Sequence, residues 1–471
     1  MKNKQVDVVV VGSGPGGYAA AFYAADLGKK VLLIEKDSQL GGVCLNRGCI
    51  PSKALLNATK IVAEAKKSAK RGISFGEPEF DLKKLREWKT SVLTKLSGGV
   101  ASLAKARGVE VVFGRAYFES PTTLRIEDEK GQHFVDFEKA IIAVGSRPAL
   151  PAAFDLGNPR IMTSTEALDV PDVPEKLLVV GGGYIGMELG TVYAGLGSQV
   201  TVVEAGPSIL AGADADLVRP VMAFAKTAFS EVLLNAKVIR MATVGKKIKV
   251  HLEHDGNALE HLYDRVLVSV GRVPNSEDLG LQNIGVVLDD KKFIVVNDEQ
   301  QTSLAHIYAI GDIAGGVLLA HKASREARIA VESIVGEVSI PLKNVVIPAV
   351  VFTEPEVAWC GLTESEAKQQ NRNVKVVKFP WSASGRAMTF DKAEGVTKIV
   401  VDPETERVLG VGMAGAGAGD LIAEGVLAIE MGATVKDLAM AVHPHPTLSE
   451  TLMEAAELFY GHCTHAYSKS H

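Results

Sequence analysis

Near its N-terminus the chain reads Asp7-Val8-Val9-Val10-Val11-Gly12-Ser13-Gly14-Pro15-Gly16-Gly17. The four valines predict a short buried strand, and the alanine-rich residues 18–27 predict an amphipathic helix directly after the glycines. A second apolar run, residues 31–34, predicts another buried strand and is followed by Glu35. The order strand, glycine-rich turn, helix, strand and acid predicts a βαβ unit of the dinucleotide-binding type.

Each residue type in this unit has a physical reason. Gly12 permits the tight turn after the strand, Gly14 lets the backbone approach a pyrophosphate, and Gly17 lets the helix pack against the strand. The helix N-terminus offers free amides and a positive dipole to the phosphates, and Glu35 can accept a hydrogen bond from a ribose hydroxyl. A lone Gly-x-Gly-x-x-Gly is a weak signal, so the surrounding strand, helix and acid carry the interpretation.

The same pattern recurs in the middle of the chain. An apolar run at residues 177–180 precedes a second glycine-rich turn, a predicted helix over residues 187–196 and a predicted strand over residues 200–203. In both copies the first glycine precedes the acid by 23 positions. The duplication therefore predicts two dinucleotide sites, the second of them built on Gly181, Gly183, Gly186 and Glu204.

Glu204 also indicates which nicotinamide nucleotide is used. A carboxylate at this position favours a free ribose 2′-hydroxyl and repels a 2′-phosphate. No lysine or arginine occurs in residues 205–218 that could receive such a phosphate. The sequence therefore predicts NAD rather than NADP.

Three further apolar runs end in glycine turns. Residues 141–144 precede Gly145 and residues 266–270 precede Gly271, and each predicts a parallel strand that closes one dinucleotide unit. Residues 307–310 precede Gly311 and Asp312; taken alone, Asp312 is equally consistent with a turn or helix-cap acid. Beyond Pro341, strands and helices mix in a different pattern, which predicts a separate C-terminal α+β domain. Its predicted elements lie at residues 345–352, 398–401, 419–431 and 447–461.

Length, composition and charge limit the number of domains and the kinds of partner that this protein can have. A length of 471 residues suggests about three domains. The net charge of −5 excludes a global electrostatic attraction to nucleic acid or an anionic membrane. The N-terminal apolar run stops at Gly12, and no uncharged run approaches the ~18 residues of a membrane span, so we expect no signal peptide and no span. The cytoplasm is the default location.

Cys44 and Cys49 are the candidate redox centre. In a regular helix, residues five apart are separated by about 7.5 Å along the axis, whereas a disulfide requires Cα atoms within roughly 4.4–6.8 Å. Pairing therefore requires a distortion, which Gly48 can absorb. Pro51 suits the first turn of a following helix, and this would place Cys49 near a helix N-terminus, where the dipole favours a thiolate.

The alternatives for this pair are two unreactive buried thiols or half of a metal site. No second Cys/His pair lies nearby, and cytosolic disulfides are usually redox-active, so redox chemistry is favoured and no metal is expected. Cys360 and Cys463 have no sequence partner and are interpreted as structural.

The segment from His443 to Glu450 is the second candidate. His445 can accept a thiol proton near neutral pH, and Glu450 could fix its tautomer. Without other information, a helix-capping turn explains this segment better.

Taken together, these motifs resemble the flavin-dependent pyridine nucleotide–disulfide oxidoreductases over essentially the whole chain. The motifs that carry the resemblance are the two glycine fingerprints, Cys44-Leu45-Asn46-Arg47-Gly48-Cys49-Ile50-Pro51-Ser52-Lys53, Ile310-Gly311-Asp312, Leu319-Ala320-His321-Lys322 and His445-Pro446-Thr447-Leu448-Ser449-Glu450. The chain lacks the Cys-Val-Asn-Val-Gly-Cys of glutathione reductases and the C-terminal cysteine pair of mercuric reductases. Pro444 stands directly before His445, where this family usually has alanine, and Tyr184 occupies a position that varies within the family.

The resemblance implies a homodimer that binds FAD in the first unit and NAD in the second. The expected fold class is α/β, with two Rossmann-like domains and a C-terminal α+β dimerisation domain. The implied divisions are 1–148 and 273–344 for FAD, 149–272 for NAD and 345–471 for the interface. The implied FAD contacts are Gly12, Gly14, Gly17, Glu35, Lys36, Gly42, Cys44, Lys53, Ala116, Asp312 and Ala320. The implied NAD contacts are Gly181, Gly182, Gly183, Tyr184, Ile185, Gly186, Glu204, Val238 and Gly271.

The resemblance also implies the chemistry. A dihydrolipoyl group on a lipoyl domain would be deprotonated by His445, held by Glu450 and acting across the dimer, and would reduce a Cys44–Cys49 disulfide. Lys53 and Glu188 would form an ion pair beside the flavin. The implied partners are the lipoyl domains and acyltransferase core of 2-oxo acid dehydrogenase complexes, or a glycine cleavage complex. Two alternatives stay open: a flavoenzyme with another acceptor, such as oxygen or a small disulfide, and a mainly structural docking subunit.

The carboxylate of Glu204 generates a prediction about cofactor choice. We expect the enzyme to prefer NAD over NADP by at least ~100-fold in catalytic efficiency, equivalent to roughly 2.7 kcal/mol. The physical reason is repulsion between this carboxylate and a 2′-phosphate. Steady-state kinetics with both nucleotides measure the ratio, and equal efficiencies would contradict the argument.

Overall fold

The structure is a computed structural model that describes residues 4–467. Residues 1–3, part of the segment for which no signal peptide is expected, lie outside this range, as do residues 468–471. Between residues 4 and 467, no helix is both long and apolar enough to cross a membrane.

The first part of the chain is an α/β unit. Its elements are β1 (Lys4–Val11), α1 (Pro15–Asp26), β2 (Val31–Glu35), α2 (Gly42–Arg47), α3 (Cys49–Ser68), α4 (Leu82–Ala106), β3 (Glu110–Phe113), β4 (Arg115–Ser120), β5 (Thr123–Asp128), β6 (Gly131–Ile142) and β7 (Ser146–Pro148). The sheet order is β3-β2-β1-β6-β5-β4. β1 pairs in parallel with both β2 and β6, and its valines are fully buried because helices or strands cover both faces.

The second part repeats this arrangement. Its elements are β8 (Ile161–Met162), α5 (Ser164–Ala167), β9 (Lys176–Val180), α6 (Tyr184–Leu196), β10 (Gln199–Val203), α7 (Ala215–Ala228), β11 (Glu231–Leu233), β12 (Ala236–Val244), β13 (Lys247–His254), β14 (Asn257–Tyr263), β15 (Arg265–Val268) and β16 (Arg272–Pro274). A five-stranded parallel sheet has the order β11-β10-β9-β15-β8, and β12-β13-β14 form an antiparallel meander. β16 pairs with β7, so the chain returns to the first unit there.

The third part rejoins the first sheet. β17 (Ile307–Ala309) pairs in parallel with β6, and α8 (Ala320–Val335) packs against α1. Strand β17 thus becomes the seventh strand of the first sheet.

The C-terminal part is an α+β layer. Its elements are β18 (Ala349–Val351), β19 (Glu356–Gly361), α9 (Glu364–Gln369), β20 (Lys375–Pro380), α10 (Gly385–Thr389), β21 (Val396–Val401), β22 (Val408–Gly415), α11 (Ala418–Glu430), α12 (Val435–Met440) and α13 (Glu450–Phe459). The antiparallel sheet has the order β18-β19-β22-β21-β20, and α11 packs on β19 and β22. The predicted fold class is confirmed.

In the C-terminal part, two elements are shorter in the structure than the sequence predicts. The strand predicted over residues 345–352 is reduced to β18, because Pro348 lacks the amide that a ladder requires. The helix predicted over residues 447–461 begins only at Glu450 and ends at Phe459.

A buried charge cluster joins the second part to the C-terminal part. The Lys398 side chain on β21 is 2% exposed, and its ammonium lies 2.5 Å from Asp214, 2.8 Å from Asp216 and 3.3 Å from Glu364. Burial opposes ionisation of Asp214, but hydrogen bonds from Lys398 and Ser365 outweigh it and lower the pKa of this carboxyl to about 2. The ammonium therefore neutralises acids that come from α7 and from the start of α9.

We predict that Lys398→Met lowers the free energy of unfolding by about 3–5 kcal/mol, because it leaves the buried carboxylate of Asp214 without its cation. Urea unfolding followed by circular dichroism measures the change. Lys368→Met, at an exposed position in α9, is the matched control and should change the stability by less than about 0.5 kcal/mol. Equal effects of the two substitutions would contradict the role assigned to the cluster.

Candidate functional site

A cavity of about 670 Å³ opens at the carboxyl ends of the first sheet. This is the edge at which open α/β sheets bind ligands. The structure brings most of the sequence-predicted residues together in its lining: Gly12, Gly14, Glu35, Lys36, Gly42, Cys44, Cys49, Lys53, Ala116, Tyr184, Ile185, Glu188, Asp312 and Ala320.

The first glycine fingerprint shows a backbone that excludes side chains at two positions and leaves space at the third. Gly12 has φ +98°, and a Cβ there would lie 2.5 Å from the Ala143 oxygen. A Cβ on Gly17 would lie 1.8 Å from the Gly12 oxygen. A Cβ on Gly14 would meet nothing within 4 Å, because this residue faces the cavity at the start of α1. The open cradle at a helix N-terminus fits a dinucleotide pyrophosphate.

The acid at the end of β2 is held in place by the turn itself. Glu35 is 5% exposed, and its Oε2 accepts hydrogen bonds from the Ser13 amide (2.8 Å) and the Ser13 hydroxyl (2.6 Å). Its Oε1 accepts from the Asp37 amide at 2.9 Å. A carboxylate can accept about four hydrogen bonds, so capacity remains for a ribose hydroxyl.

The second fingerprint repeats this geometry. Gly181 has φ +105°, a Cβ on Gly186 would lie 2.0 Å from the Gly181 oxygen, and Gly183 faces open space. Both oxygens of Glu204 accept backbone amides, from Gly182 and Gly206, at 2.7 Å each. This turn therefore fits a second dinucleotide for the same reasons as the first.

Part of the predicted NAD set lies away from the cavity. Tyr184 and Ile185 line it, so the two dinucleotide units meet at the first turn of α6. Val238 lies on β12, and Gly271 follows β15. The predicted dinucleotide contacts that do not line the cavity are Gly17, Gly181, Gly182, Gly183, Gly186, Glu204, Val238 and Gly271.

The two cysteines lie on either side of a helix break. α2 ends at Arg47, Gly48 adopts φ −147° and ψ −111°, and α3 begins at Cys49. A Cβ on Gly48 would lie 2.9 Å from the Val43 oxygen. The distortion expected at Gly48 is therefore present, and Cys49 occupies the first turn of a helix as expected.

The cysteines share one proton asymmetrically. A hydrogen bond from the Cys44 thiol lowers the pKa of Cys49 to about 7, with the Lys53 ammonium contributing and burial opposing. The same hydrogen bond, together with burial, raises the pKa of Cys44. Of the two, Cys49 is therefore the cysteine that ionises first, while Cys44 keeps its proton.

Lys53 and Glu188 form an ion pair at the cavity wall. Their nitrogen and Oε2 are 2.7 Å apart, and the same Oε2 accepts from the Ser52 hydroxyl at 2.8 Å. Glu188 is 3% exposed, and its Oε1 accepts from the Phe352 amide at 3.1 Å. The Lys53 ammonium lies 4.5 Å from the centre of the Phe352 ring. Three parts of the chain thus contribute to this pair.

Asp312 is placed by residues that the sequence patterns did not single out. It accepts a hydrogen bond from the Ser146 hydroxyl, and Arg272 lies 3.5 Å away. The preceding Gly311 has φ +76° and donates its amide to Glu326 at 2.7 Å. Ser146 and Arg272 lie just after the two similar strand ends at residues 141–144 and 266–270. That similarity was the signal in the sequence that could have pointed to them.

His445 and Glu450 form a pair outside the cavity. His445 Nδ1 lies 2.8 Å from Glu450 Oε1, and Glu450 Oε2 accepts from the Thr447 amide at 2.7 Å. Burial opposes ionisation of Glu450, but these hydrogen bonds hold its pKa below the usual value. The His445 side chain is 70% exposed and does not line the cavity that contains Cys44. One chain alone therefore does not bring this pair to the cysteines.

His443 anchors the same segment. Its Nε2 lies 2.7 Å from Glu424, and its Nδ1 lies 2.9 Å from the Ala441 oxygen.

Elsewhere, burial in the C-terminal sheet raises the pKa of Cys360 to about 12, which makes it an inert thiol.

Comparison with known proteins follows the same division of the chain. Residues 6–327 match the family described as pyridine nucleotide-disulphide oxidoreductase, and residues 347–456 match the dimerisation domain of that family. The dimerisation domain supports the expected homodimer. The predicted family is confirmed, and with it the cofactor pair FAD and NAD.

Individual relatives extend over nearly the full length. The chain is 45% identical to a dihydrolipoyl dehydrogenase of Vibrio parahaemolyticus over 464 residues, covering 98% of this chain and 97% of that one. It is 46% identical to the enzyme of that name from Haemophilus influenzae, with the same coverage. Identity to the Staphylococcus aureus dihydrolipoyl dehydrogenase is 44%, covering 98% of both chains.

Solved structures have the same fold. LpdA from Mycobacterium tuberculosis superposes with a TM-score of 0.87 at 28% identity, covering 97% of this chain and 99% of that one. The HOCl-induced flavoprotein disulfide reductase RclA from Escherichia coli, as a Cu(II) complex, gives a TM-score of 0.87 at 27% identity, covering 97% and 100%. With its two glycine cradles, its cysteine pair and these matches, the chain belongs to the pyridine nucleotide-disulphide oxidoreductase family.

Proposed function

We propose that this protein is an NAD-dependent dihydrolipoyl dehydrogenase, which oxidises a protein-bound dihydrolipoyl group to lipoyl. The observation that carries this proposal is the Cys44/Cys49 pair in one cavity with the first glycine cradle. The full-length similarity to enzymes of that name supports the choice of substrate. The proposed reaction needs a dithiol exchange site, a proton acceptor and a nicotinamide site, and the chain has a candidate for each.

FAD fits the first cavity. Gly12 and Gly14 would hold its pyrophosphate at the start of α1, and Glu35 would bind its ribose. Lys53 and Asp312 would contact the part of FAD that lies near the cysteines. When bound, FAD supplies the electron acceptor for the reduced cysteine pair and the hydride donor to NAD⁺. The protein supplies placement and charge.

Cys44 and Cys49 perform the exchange. In the oxidised protein the two sulfurs form a disulfide, and one thiolate of the substrate attacks Cys44 to give a mixed disulfide. Cys49 leaves as a thiolate, which its lowered pKa and the Lys53 ammonium favour. The second sulfur of the substrate then attacks the substrate sulfur in the mixed disulfide. This attack closes the lipoyl disulfide and releases Cys44 as a thiol. The substrate loses two electrons, and the cysteine pair gains them.

His445 is the proposed proton acceptor. The N–H at Nδ1 of His445 donates a hydrogen bond to Glu450. In this tautomer Nε2 carries no hydrogen and can take the proton of the substrate thiol. Since His445 lies outside the cavity of its own chain, we assign the role to His445 of the partner subunit. The proton that Cys44 needs returns from the same imidazole, and the other leaves to solvent.

The domain divisions, partners and location are part of the same proposal. FAD would occupy residues 1–148 with 273–344, NAD residues 149–272, and the dimer interface residues 345–471. The joining of β17 to β6 supports the discontinuous first domain. Lipoyl domains and the acyltransferase core of 2-oxo acid dehydrogenase complexes are the proposed partners. The cytoplasm is the proposed location.

The hydrogen bond between the cysteines generates a prediction about pH. In reduced, flavin-free protein, Cys49 should react with iodoacetamide with a midpoint near pH 7, because its folded pKa is lowered to about 7. The thiolate is present above this pH and is lost as the pH falls below it. Peptide mapping after timed alkylation measures the midpoint.

Cys44→Ala removes the donor and should move the midpoint of Cys49 toward the ordinary value of about 8.5. Cys360→Ala, which removes a buried thiol elsewhere, is the matched control and should leave the midpoint unchanged. A wild-type midpoint near 8.5 would show that Cys44 does not stabilise the thiolate.

The separation of His445 from the cysteines generates the test of the reaction. His445→Gln should slow NAD-dependent oxidation of dihydrolipoamide by about 10²–10⁴-fold, the usual range for one general base. FAD binding and flavin reduction by NADH should survive, because neither requires this proton acceptor. Glu450→Gln should give a smaller loss in the same half-reaction.

Subunit mixing tests the shared site. Cys44→Ser protein and His445→Gln protein should each be nearly inactive, and exchange of subunits should restore one intact site in each heterodimer. Random mixing predicts recovery of about a quarter of the wild-type activity. If confirmed heterodimers show no recovery, both groups act within one chain. If wild-type protein fails to oxidise dihydrolipoamide, the proposed substrate is wrong.

A further inference from the structure

A second group of chemically active side chains lies on α13 beyond Glu450. Glu454 and Glu457 are three residues apart, which places them on one face of the helix. Cys463 folds back onto this face after the helix ends. One ligand atom from each of these three residues lies within 4.8 Å of the other two.

Glu454 is the centre of the group. Its side chain is 4% exposed. Its Oε2 accepts the Cys463 thiol and, at 3.3 Å, the His465 amide. Its Oε1 contacts Nδ1 of His465. The C-terminal segment thus brings a thiol and an imidazole to the same buried carboxylate.

Glu457 is left unsatisfied. Its Oε2 is buried and has no hydrogen-bond partner among the described residues. A second carboxylate, that of Glu454, lies within 4.8 Å. Two ionised carboxylates at this distance repel each other, and a cation bound between them would remove that repulsion.

A comparison within the chain shows what is missing. Asp214, Asp216 and Glu364 form a similar acidic group, and there the ammonium of Lys398 lies between the carboxylates. Over residues 4–467, no lysine or arginine forms an ion pair with Glu454 or Glu457. In the second group the only basic partner between residues 4 and 467 is His465, which pairs with Glu454 and leaves Oε2 of Glu457 without a hydrogen-bond partner.

We propose that Glu454, Glu457 and Cys463 form a Zn²⁺ site, with His465, which contacts Glu454 at the edge of this group, as the fourth ligand. Thiolate, imidazole and carboxylate are the ligands that Zn²⁺ takes in proteins, and four of them complete a tetrahedral shell. The mixed set with one sulfur disfavours Mg²⁺ and Ca²⁺, which prefer oxygen ligands alone. The thiol proton leaves to solvent when the metal enters.

The site would fasten the end of the chain to the helix that begins at Glu450. Glu454 lies one turn beyond Glu450, so a metal there holds the helix that carries the partner of His445. The proposed role is structural, since the metal has no open position for substrate. It is independent of the proposed reaction.

The test uses oxidised flavoprotein, stripped of metal with a chelator, so that the Cys44–Cys49 disulfide cannot supply thiolates. Zn²⁺ titration by calorimetry should give one site per chain, and Zn²⁺ should raise the melting temperature. Cys463→Ser and Glu457→Gln should each weaken Zn²⁺ binding at least ~10-fold. His462→Gln is the matched control, because His462 stacks on Tyr460 outside the group and should leave the affinity unchanged.

Co²⁺ gives a separate signal. Wild-type protein and His462→Gln should show a thiolate-to-cobalt absorption band, and Cys463→Ser should lack it. If Cys463→Ser does not fold, Glu457→Gln still tests the site, since it removes a ligand and keeps the shape. No Zn²⁺ binding by the wild type, or equal affinity in all variants, would overturn the proposal. Loss of lipoyl chemistry with Zn²⁺ binding intact would overturn only the proposed function.

Discussion

The carboxylate of Glu188 holds together the parts of the chain that surround the cysteines. It is buried on α6 and accepts hydrogen bonds from Lys53 and Ser52 on α3 and from the Phe352 amide in the C-terminal part. A buried charge is tolerated only when it is fully paired, so these contacts must form together. The dinucleotide units and the C-terminal layer therefore meet at one point, beside Cys49, and the cavity takes its shape there.

Two glycine cradles repeat one solution to the same steric problem. In each, the first and third glycines touch backbone oxygens so closely that any Cβ would clash, while the middle glycine faces open space. The two units differ in what surrounds the cradle. The first opens into a cavity with a thiol pair, whereas Gly181, Gly183 and Glu204 of the second do not line that cavity. The same local geometry thus fits a dinucleotide at both places.

Charge is handled differently in three buried places. Lys53 pairs with Glu188 and also lies beside Cys49, so its charge lowers the pKa of that thiol. Lys398 balances the acids that join α7 to the C-terminal sheet. At Glu454 and Glu457 no lysine of the described part of the chain takes that place, and a thiol and an imidazole approach Glu454 instead. The last arrangement is the one that resembles a set of metal ligands.

Local patterns in the sequence predicted the strands, the glycine turns and the distortion at Gly48, and the family resemblance supplied the pairing of His445 with Glu450. These features depend on contacts between near neighbours, where sterics and periodicity act over a few residues. The amide of Phe352 on Glu188, Arg272 near Asp312, and Cys463 beside Glu454 and Glu457 were not predicted. Each joins residues from separate elements, and their approach follows from how sheets and helices pack rather than from any spacing along the chain. Packing is set by the burial of whole apolar faces, so side chains that meet across those faces carry no local signature.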